Sequence, residues 1–154
     1  MLRPPVTDGF GMRIAGSAAG PAIVLDEPLS LWGGLDPQTG QIIDAHHPQR
    51  GAGVAGAVLF MPSGRGSSSS SSTFLEAVRL GTNPAALILA EEDDILILAA
   101  VVARSLYGIT VPVGLLGRSL YEMVRSGDQA AVESTRLVVH RNGSAVLDTA
   151  ITVD

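Results

Sequence analysis

The sequence predicts an α/β domain in which helices flank a mixed sheet. The first observation behind this prediction is three short apolar runs, at 57–61, 86–89 and 111–115. Each has the length of a strand that is buried on both faces. The second is helical spacing between them, and this alternation is typical of a parallel sheet covered by helices. The third is Asn142-Gly143 between two apolar runs, which predicts a hairpin and therefore antiparallel strands.

The first third of the chain predicts extended structure and turns. Residues 1–10 contain two prolines and no periodicity, so we expect a flexible lead-in there. From 12 to 25 the chain is extended and punctuated by glycine. Turn chemistry, including Asp36-Pro37, dominates residues 26–40. A short strand at 41–44 and a loop at 45–51 complete this part.

Two helices are predicted in the middle of the chain. The first runs from Thr73 to Leu80 and stops at Gly81; Thr73 and Glu76 form a candidate capping box, and an earlier start within the serines stays open. The second covers residues 95–107 and stops at Gly108. Acidic residues at 93 and 94 favour the positive dipole end of that second helix.

The last part of the chain predicts two short elements and the hairpin. A short helix is expected at 120–125, and a turn or short helix at 128–133. Strands at 137–140 and 144–148 flank the hairpin turn. The sequence shows neither an internal repeat nor a long linker, so residues 11–154 are expected to form a single domain.

Composition excludes several classes of function. The chain has no cysteine, which excludes disulfides, thiolate metal sites and a cysteine nucleophile within it. Its basic residues are all arginine, so it has neither a Schiff-base lysine nor a P-loop lysine. The net charge of −5 disfavours binding to nucleic acid or to an anionic membrane surface.

The most apolar region, 85–103, is not expected to span a membrane. Four acidic residues at 91–94 interrupt it, and their burial in a bilayer would be too costly. The first residues lack the apolar run of a signal peptide. We therefore expect a cytoplasmic protein.

The segment after the first buried strand, Pro62-Ser-Gly-Arg-Gly-Ser-Ser68, is the strongest candidate site. Gly64 and Gly66 allow a tight turn and close approach of a ligand. The following serines lie where a helix begins, and free N–H groups there favour an anion. Arg65 adds a cation that can bind a carboxylate or phosphate with two hydrogen bonds. The alternative is a solvent-exposed serine tract, but its place between a buried strand and an amphipathic helix favours a site.

Other candidates are weaker. His46 and His47 could be metal ligands or a general base, but they are better explained as surface loop residues, because no acidic or histidine partner stands at ligand spacing. The acidic run at 91–94 is better explained as a helix start than as a cation site. Trp32 fits a pocket, an interface or a packing role about equally well. His140 lies in a predicted strand and is expected to be structural.

Two motifs, in order, resemble the swivel-domain family of aconitase X. They are Asp26-Glu-Pro-Leu-Ser-Leu-Trp-Gly-Gly-Leu-Asp-Pro-Gln-Thr-Gly-Gln-Ile-Ile-Asp-Ala-His-His-Pro48 and Met61-Pro-Ser-Gly-Arg-Gly-Ser-Ser-Ser69. The resemblance covers residues 12–117 and leaves 118–154 as a C-terminal extension about which it says little. It implies a swivelling β/β/α domain, like the mobile domain of aconitase.

The resemblance also implies an activity shared with another chain. A large catalytic subunit would hold an iron or iron–sulfur centre through its cysteines, and this chain would bind no metal. The pair would act as a hydro-lyase on a small hydroxy acid. Ser67 would be the base, while Arg65, Gly66 and Ser68 would bind the substrate carboxylate.

Two substrates are associated with the family, and other functions stay open. The long serine run and the His-His-Pro sequence favour cis-3-hydroxy-L-proline, which would give Δ1-pyrroline-2-carboxylate. The alternative within the family is mevalonate 5-phosphate. Outside it, the chain could be a non-catalytic module that binds an anion or a partner.

Overall fold

A computed structural model of the chain describes residues 8–66 and 68–151. Most of the lead-in expected at 1–10 therefore lies outside the described residues, as do Ser67 and residues 152–154.

Ten strands and four helical segments form within the described residues. In chain order they are β1 Phe10–Ile14, β2 Ala18–Val24, α1 Leu31–Gly34, β3 Leu35–Asp36, β4 Gln41–Ile42, β5 Val58–Met61, α2 Ser69–Leu80, β6 Ala86–Leu89, α3 Asp94–Tyr107, β7 Val113–Leu116, α4 Arg118–Tyr121, β8 Gln129–Glu133, β9 Arg136–Arg141 and β10 Ser144–Ala150.

The main sheet is mixed and curls on itself. Its strand order is β1-β7-β6-β5-β2-β8-β9-β10, with a separate β3–β4 pair beside it. Strands β2, β5, β6 and β7 are mutually parallel, so all four end at one edge, which we call the carboxyl edge. The remaining pairings in the main sheet are antiparallel. A parallel bridge between Phe10 and Ile151 brings β1 towards the last strand.

The apolar runs predicted as strands are buried on both faces because the sheet separates two cores. In β5, Val58 and Phe60 join the core inside the curl, whereas Leu59 and Met61 join the core under the helices. Successive side chains of a strand point to opposite faces, which explains this alternation. The layers are therefore sheet, sheet and helix, which confirms the predicted β/β/α architecture.

Both long helices end, and the second begins, as the sequence predicts. Helix α2 ends at Gly81, with φ +76°, and α3 ends at Gly108, with φ +66°; both are left-handed conformations that favour glycine. At the start of α3, Asp93 Oδ1 accepts hydrogen bonds from the Ile95 and Leu96 amides, each at 3.0 Å. None of the helices in the described residues has the length and hydropathy needed to cross a membrane.

Two predictions about elements are wrong. Helix α2 begins at Ser69, within the serine run, so Thr73 is inside the helix and cannot form the capping box with Glu76. Residues 129–133 form strand β8, not a turn or helix, because they pair with β2 and β9. The hairpin prediction is confirmed: Asn142 and Gly143 join β9 to β10 with φ of 52° and 79°.

Candidate functional site

The loop between β5 and α2 lies at the carboxyl edge, where open α/β sheets bind ligands. Backbone hydrogen bonds fix it on both sides. The Glu91 amide donates to the Pro62 carbonyl at 2.9 Å, and the Arg65 amide donates to the Leu29 carbonyl at 3.2 Å. A parallel bridge also joins Gly64 to Leu29. The described part of the loop is therefore anchored between the segments that follow β2 and β6.

Two positions in this loop require glycine. An ideal Cβ placed on Gly64 would lie 2.1 Å from Asp93 Oδ2, a distance that no real side chain tolerates. Gly66 has φ +112°, which favours glycine, and a Cβ there would lie 3.3 Å from Ser30 Oγ. Both glycines thus allow the loop to pass close to neighbouring segments, as the sequence predicts.

The start of α2 is suited to an anion. Ser68 is the N-cap, but its side chain makes no capping hydrogen bond, and the first turn contains no acidic residue. The Ser71 hydroxyl donates to the Ser68 carbonyl at 2.6 Å. The positive end of the helix dipole is therefore not neutralised by a carboxylate of its own first turn.

Arg65 is exposed beside this helix start. Within residues 8–66 and 68–151, its guanidinium has no hydrogen-bond or ion-pair partner. An arginine held by its backbone and left with open donors can bind a carboxylate or phosphate through two hydrogen bonds.

A narrow crevice of about 10 Å³ lies under the loop, with room for about one water molecule. Its walls bring together Arg65, Gly66, Ser70 and Asp93. Ser70 is only 6% exposed, and its Oγ accepts a 3.4 Å hydrogen bond from the Trp32 amide. A substrate would therefore lie across the mouth of the crevice and not inside it.

The structure brings together only some of the predicted site residues. Arg65, Gly66 and Ser68 follow one another from the loop into the N-cap of α2, with Ser68 exposed. Ser67, the predicted base, lies outside the described residues, so its role stays a prediction. Sequence reasoning missed Ser70 and the contact of Asp93 with the loop, and the six-fold repetition of serine gave no signal that one of them is buried.

His47 differs from its prediction as a surface residue. It is 5% exposed, its Nδ1 accepts from the Gln49 amide at 3.1 Å, and its Nε2 lies 3.1 Å from the Glu27 carbonyl. These partners require a neutral ring with the proton on Nε2. His47 is therefore structural, whereas His46 is exposed, as is His140 in β9.

A second cleft, of about 300 Å³, opens at the same edge on the other side of Pro62. Asp26, Arg118, Tyr121 and Glu122 line it. The Tyr121 hydroxyl donates to the Leu25 carbonyl at 2.8 Å, and burial raises the pKa of this phenol well above its usual value. Arg118 lies 3.5 Å from a Glu91 carboxylate oxygen, so its charge is partly offset.

Acidic residues dominate the carboxyl edge. The segments that follow the four parallel strands, 25–30, 62–68, 90–94 and 117–122, carry seven acidic residues and two arginines. Arg65 is the exposed cation of the loop itself. Despite these carboxylates, no group of three or more His, Cys, Asp or Glu in the described part of the chain is arranged to hold a metal ion.

Comparison with protein families gives a match over most of the chain. The sequence model described as the aconitase X swivel domain matches residues 11–140. This match includes the loop at 62–68, extends through strand β8 and ends within β9.

Curated relatives fall into two groups. The chain is 40% identical over 135 residues to a cis-3-hydroxy-L-proline dehydratase of Pseudomonas aeruginosa, and 41% identical over 133 residues to one of Hypocrea jecorina. These matches cover 88% and 86% of this chain but only 23% and 22% of the relatives. It is also 34% identical to a phosphomevalonate dehydratase small subunit of Methanocella arvoryzae, over 84% of this chain and 95% of that one.

Solved structures share the fold. A crystal structure of Thermococcus kodakaraensis aconitase X in its holo form superposes with a TM-score of 0.76 at 26% identity, covering 90% of this chain and all of that chain. A solution NMR structure of a UPF0107 protein superposes with a TM-score of 0.70 at 29% identity, covering 80% of this chain and 89% of that chain.

Proposed function

The chain belongs to the aconitase X swivel-domain family, and on that premise we propose that it acts as the small-subunit part of a hydro-lyase. The chain spans less than a quarter of the length of the hydroxyproline dehydratases it matches. It spans nearly the whole of a phosphomevalonate dehydratase small subunit. The rest of the active site would therefore come from a large catalytic subunit.

The observation that carries this proposal is the open guanidinium of Arg65 beside the start of α2, where the side chain of the N-cap Ser68 makes no capping hydrogen bond. Both groups attract an anion, and they lie at the edge where the parallel strands end. A hydroxy-acid substrate would place its carboxylate against Arg65, with the Gly66 backbone and the Ser68 hydroxyl next to it. Arg65 would then offset the negative charge that grows when a proton leaves the carbon beside that carboxylate.

Ser67 is the proposed base, a role that the family resemblance gives to this position. A serine hydroxyl is a weak base at neutral pH and needs a setting that stabilises its alkoxide. The neighbouring arginine and the positive end of α2 would provide this setting. Removal of the Cα proton and loss of the Cβ hydroxyl would give an alkene and water.

An iron or iron–sulfur centre does not fit the residues of this chain. The sequence has no cysteine, and the described residues bring no three suitable ligands together. Any such centre would therefore lie on the large subunit.

The acidic carboxyl edge favours cis-3-hydroxy-L-proline over mevalonate 5-phosphate. A phosphate group would bring about two further negative charges close to seven carboxylates, which are offset by Arg65, Arg118 and Arg13, the last paired with Glu92. A hydroxyproline carries a cationic ring amine besides its carboxylate, and this amine is compatible with an acidic surrounding. The product after tautomerisation of the enamine would be Δ1-pyrroline-2-carboxylate.

Reconstitution tests the proposal. The chain is mixed with the large chain of the same organism that matches the remaining part of the hydroxyproline dehydratases, and both substrates are assayed. We expect dehydration of cis-3-hydroxy-L-proline by the mixture. Activity of the mixture on mevalonate 5-phosphate alone would reassign the substrate, and inactivity on both would refute the enzyme role.

Paired variants test the residues. Ser67→Ala should lower kcat by roughly 10²–10⁴-fold, as expected for loss of a base, whereas Ser72→Ala, further along α2, should leave it unchanged. Arg65→Gln should raise KM more than it lowers kcat, whereas Arg104→Gln, in the last turn of α3, should change neither. A Ser67→Ala enzyme within about tenfold of the unmodified one would remove Ser67 from this role.

A further inference from the structure

Trp32 is the single tryptophan of the chain, and it is 62% exposed. Tryptophan is highly buried on average in folded proteins. Tryptophan is also enriched at protein interfaces, so an exposed one marks a candidate interface. Ile43, which is 46% exposed, lies next to this turn, because the Ile43 amide donates to the Gly34 carbonyl at 2.8 Å. We call these two side chains the Trp32 surface.

The turn that presents Trp32 is held in place. The Trp32 amide donates to Ser70 Oγ at 3.4 Å, and the Ser30 hydroxyl donates to the Trp32 carbonyl at 3.2 Å. The adjacent Leu31 side chain is 2% exposed and belongs to the core under the helices. Little conformational entropy remains to be lost at this backbone on association, which makes the indole a pre-organised anchor.

The Trp32 surface adjoins the candidate site. Leu29 forms the bridge with Gly64 and accepts the hydrogen bond of the Arg65 amide. Ser30 Oγ lies 3.3 Å from the position of a Cβ on Gly66. Trp32 is therefore in the segment that packs directly against the loop between β5 and α2. A molecule that completes the site over this loop would therefore approach the segment that carries the indole.

From this adjacency we propose that the Trp32 surface is a docking site for the large catalytic subunit, with Trp32 as its principal anchor. The inference rests on the proposed function, since a chain without cysteine needs a partner to supply the metal centre. That partner must approach Arg65, and the exposed apolar area on the segment that packs against the Arg65 loop is the area we expect it to cover. Buried aromatic side chains near the centre of an interface contribute most of its binding energy.

A second exposed apolar area serves as the control. Leu106 is 64% exposed near the end of α3. Because α3 runs from the carboxyl edge back to the start of β7, Leu106 lies towards the opposite edge of the sheet. Its exposure matches that of Trp32, but its position is remote from the loop.

A fluorine label tests the proposal directly. The chain is produced with 5-fluorotryptophan, which gives one ¹⁹F resonance because the chain has a single tryptophan. Titration with the large chain should shift or broaden this resonance and reduce its solvent-induced isotope shift. An unchanged resonance at saturating large chain would overturn the docking role. Absence of any association would overturn both this inference and the proposed function.

Variants supply a second readout. Trp32→Ala should weaken association with the large chain by about thirtyfold or more, the range of an interface hot spot, without lowering the melting temperature of the isolated chain. Leu106→Ala should bind within about threefold of the unmodified chain. Trp32→Ala binding that stays within threefold, with a raised KM, would make the indole a substrate contact and overturn the proposal. An equal loss of affinity for the large chain in Trp32→Ala and Leu106→Ala would also overturn the proposal.

Discussion

The carboxylate of Asp93 occupies the space beside Gly64 where any other residue would carry its Cβ. The distance from Oδ2 to that position is 2.1 Å, while Oδ1 of the same carboxylate caps α3. One side chain therefore fixes the start of a helix and limits the path of the loop between β5 and α2.

This contact predicts that Gly64→Ala displaces the loop. Overpacking of this kind costs roughly 1–3 kcal/mol of stability, and we expect a lower melting temperature and a higher KM in the reconstituted enzyme. In the double variant with Asp93→Ser, the melting temperature and the KM should both return part of the way to their original values, because serine is shorter than aspartate and still caps a helix well. Gly53→Ala is the control, since its Cβ would meet nothing within 4 Å. Equal melting temperatures for the two single variants would contradict the prediction.

Asp128 and Arg141 form an ion pair that should make stability depend on acid pH. Arg141 donates to both Asp128 oxygens at 2.8 Å, and this bonding holds the pKa of the carboxyl below its usual value. The unfolded chain then takes up the proton first, near pH 4. Stability from this pair is therefore complete above about pH 4 and is lost as the pH falls through the lower folded pKa.

The variant Asp128→Asn tests this linkage by thermal unfolding across pH. At neutral pH it should lose roughly 1–3 kcal/mol, because the carboxylate is almost fully buried. Below pH 4 the difference from the unmodified chain should shrink. Asp148→Asn removes an exposed pair with Arg136 and should have a small effect throughout. A difference independent of pH would count against the ion pair.

Tyr121 should stabilise the mouth of the second cleft through its hydroxyl. Tyr121→Phe leaves the Leu25 carbonyl without this donor, and we expect a loss of roughly 1–2 kcal/mol in urea unfolding. The raised pKa of the phenol also predicts how the stability of the chain depends on alkaline pH. The unfolded state ionises first, near pH 10, so the unmodified chain should lose stability above that pH more steeply than the variant. Tyr107→Phe, at an exposed position, is the control.

His47 is predicted to be a structural residue and not a metal ligand. His47→Ala removes two hydrogen bonds from a buried ring, so its melting temperature should fall by several degrees. His46→Ala should leave it unchanged, because that ring is exposed. The reconstituted enzyme should keep its metal content in both variants. Loss of metal in His47→Ala alone would contradict this assignment.

Local patterns predicted the parts of the fold that local chemistry determines. Strands β5, β6 and β7 are apolar throughout because both of their faces are covered. Gly81 and Gly108 end their helices because each adopts a left-handed conformation that favours glycine. Strand β8 was missed because its alanines carry no strand preference, and because one of its two partners, β2, lies more than a hundred residues earlier. Distance in sequence also hid the burial of His47, whose partner Glu27 is twenty residues away.

The candidate site shows the same division. The loop glycines, Arg65 and the start of a helix among the serines followed from the type and order of residues. The hydrogen bond of Ser70 and the contact of Asp93 with the loop did not, because each depends on a segment from another part of the chain. Ser67 as base still rests on resemblance alone.

The bridge between Phe10 and Ile151 has a consequence for how such a domain can be built into proteins. It brings the first and last strands side by side, so a short peptide could connect them and new termini could be opened in a surface turn. Circular permutants opened at Asn142-Gly143 should therefore fold. Because the first and last strands are adjacent, the domain could be inserted in a longer polypeptide or made as a separate chain, with the same strand order in both cases.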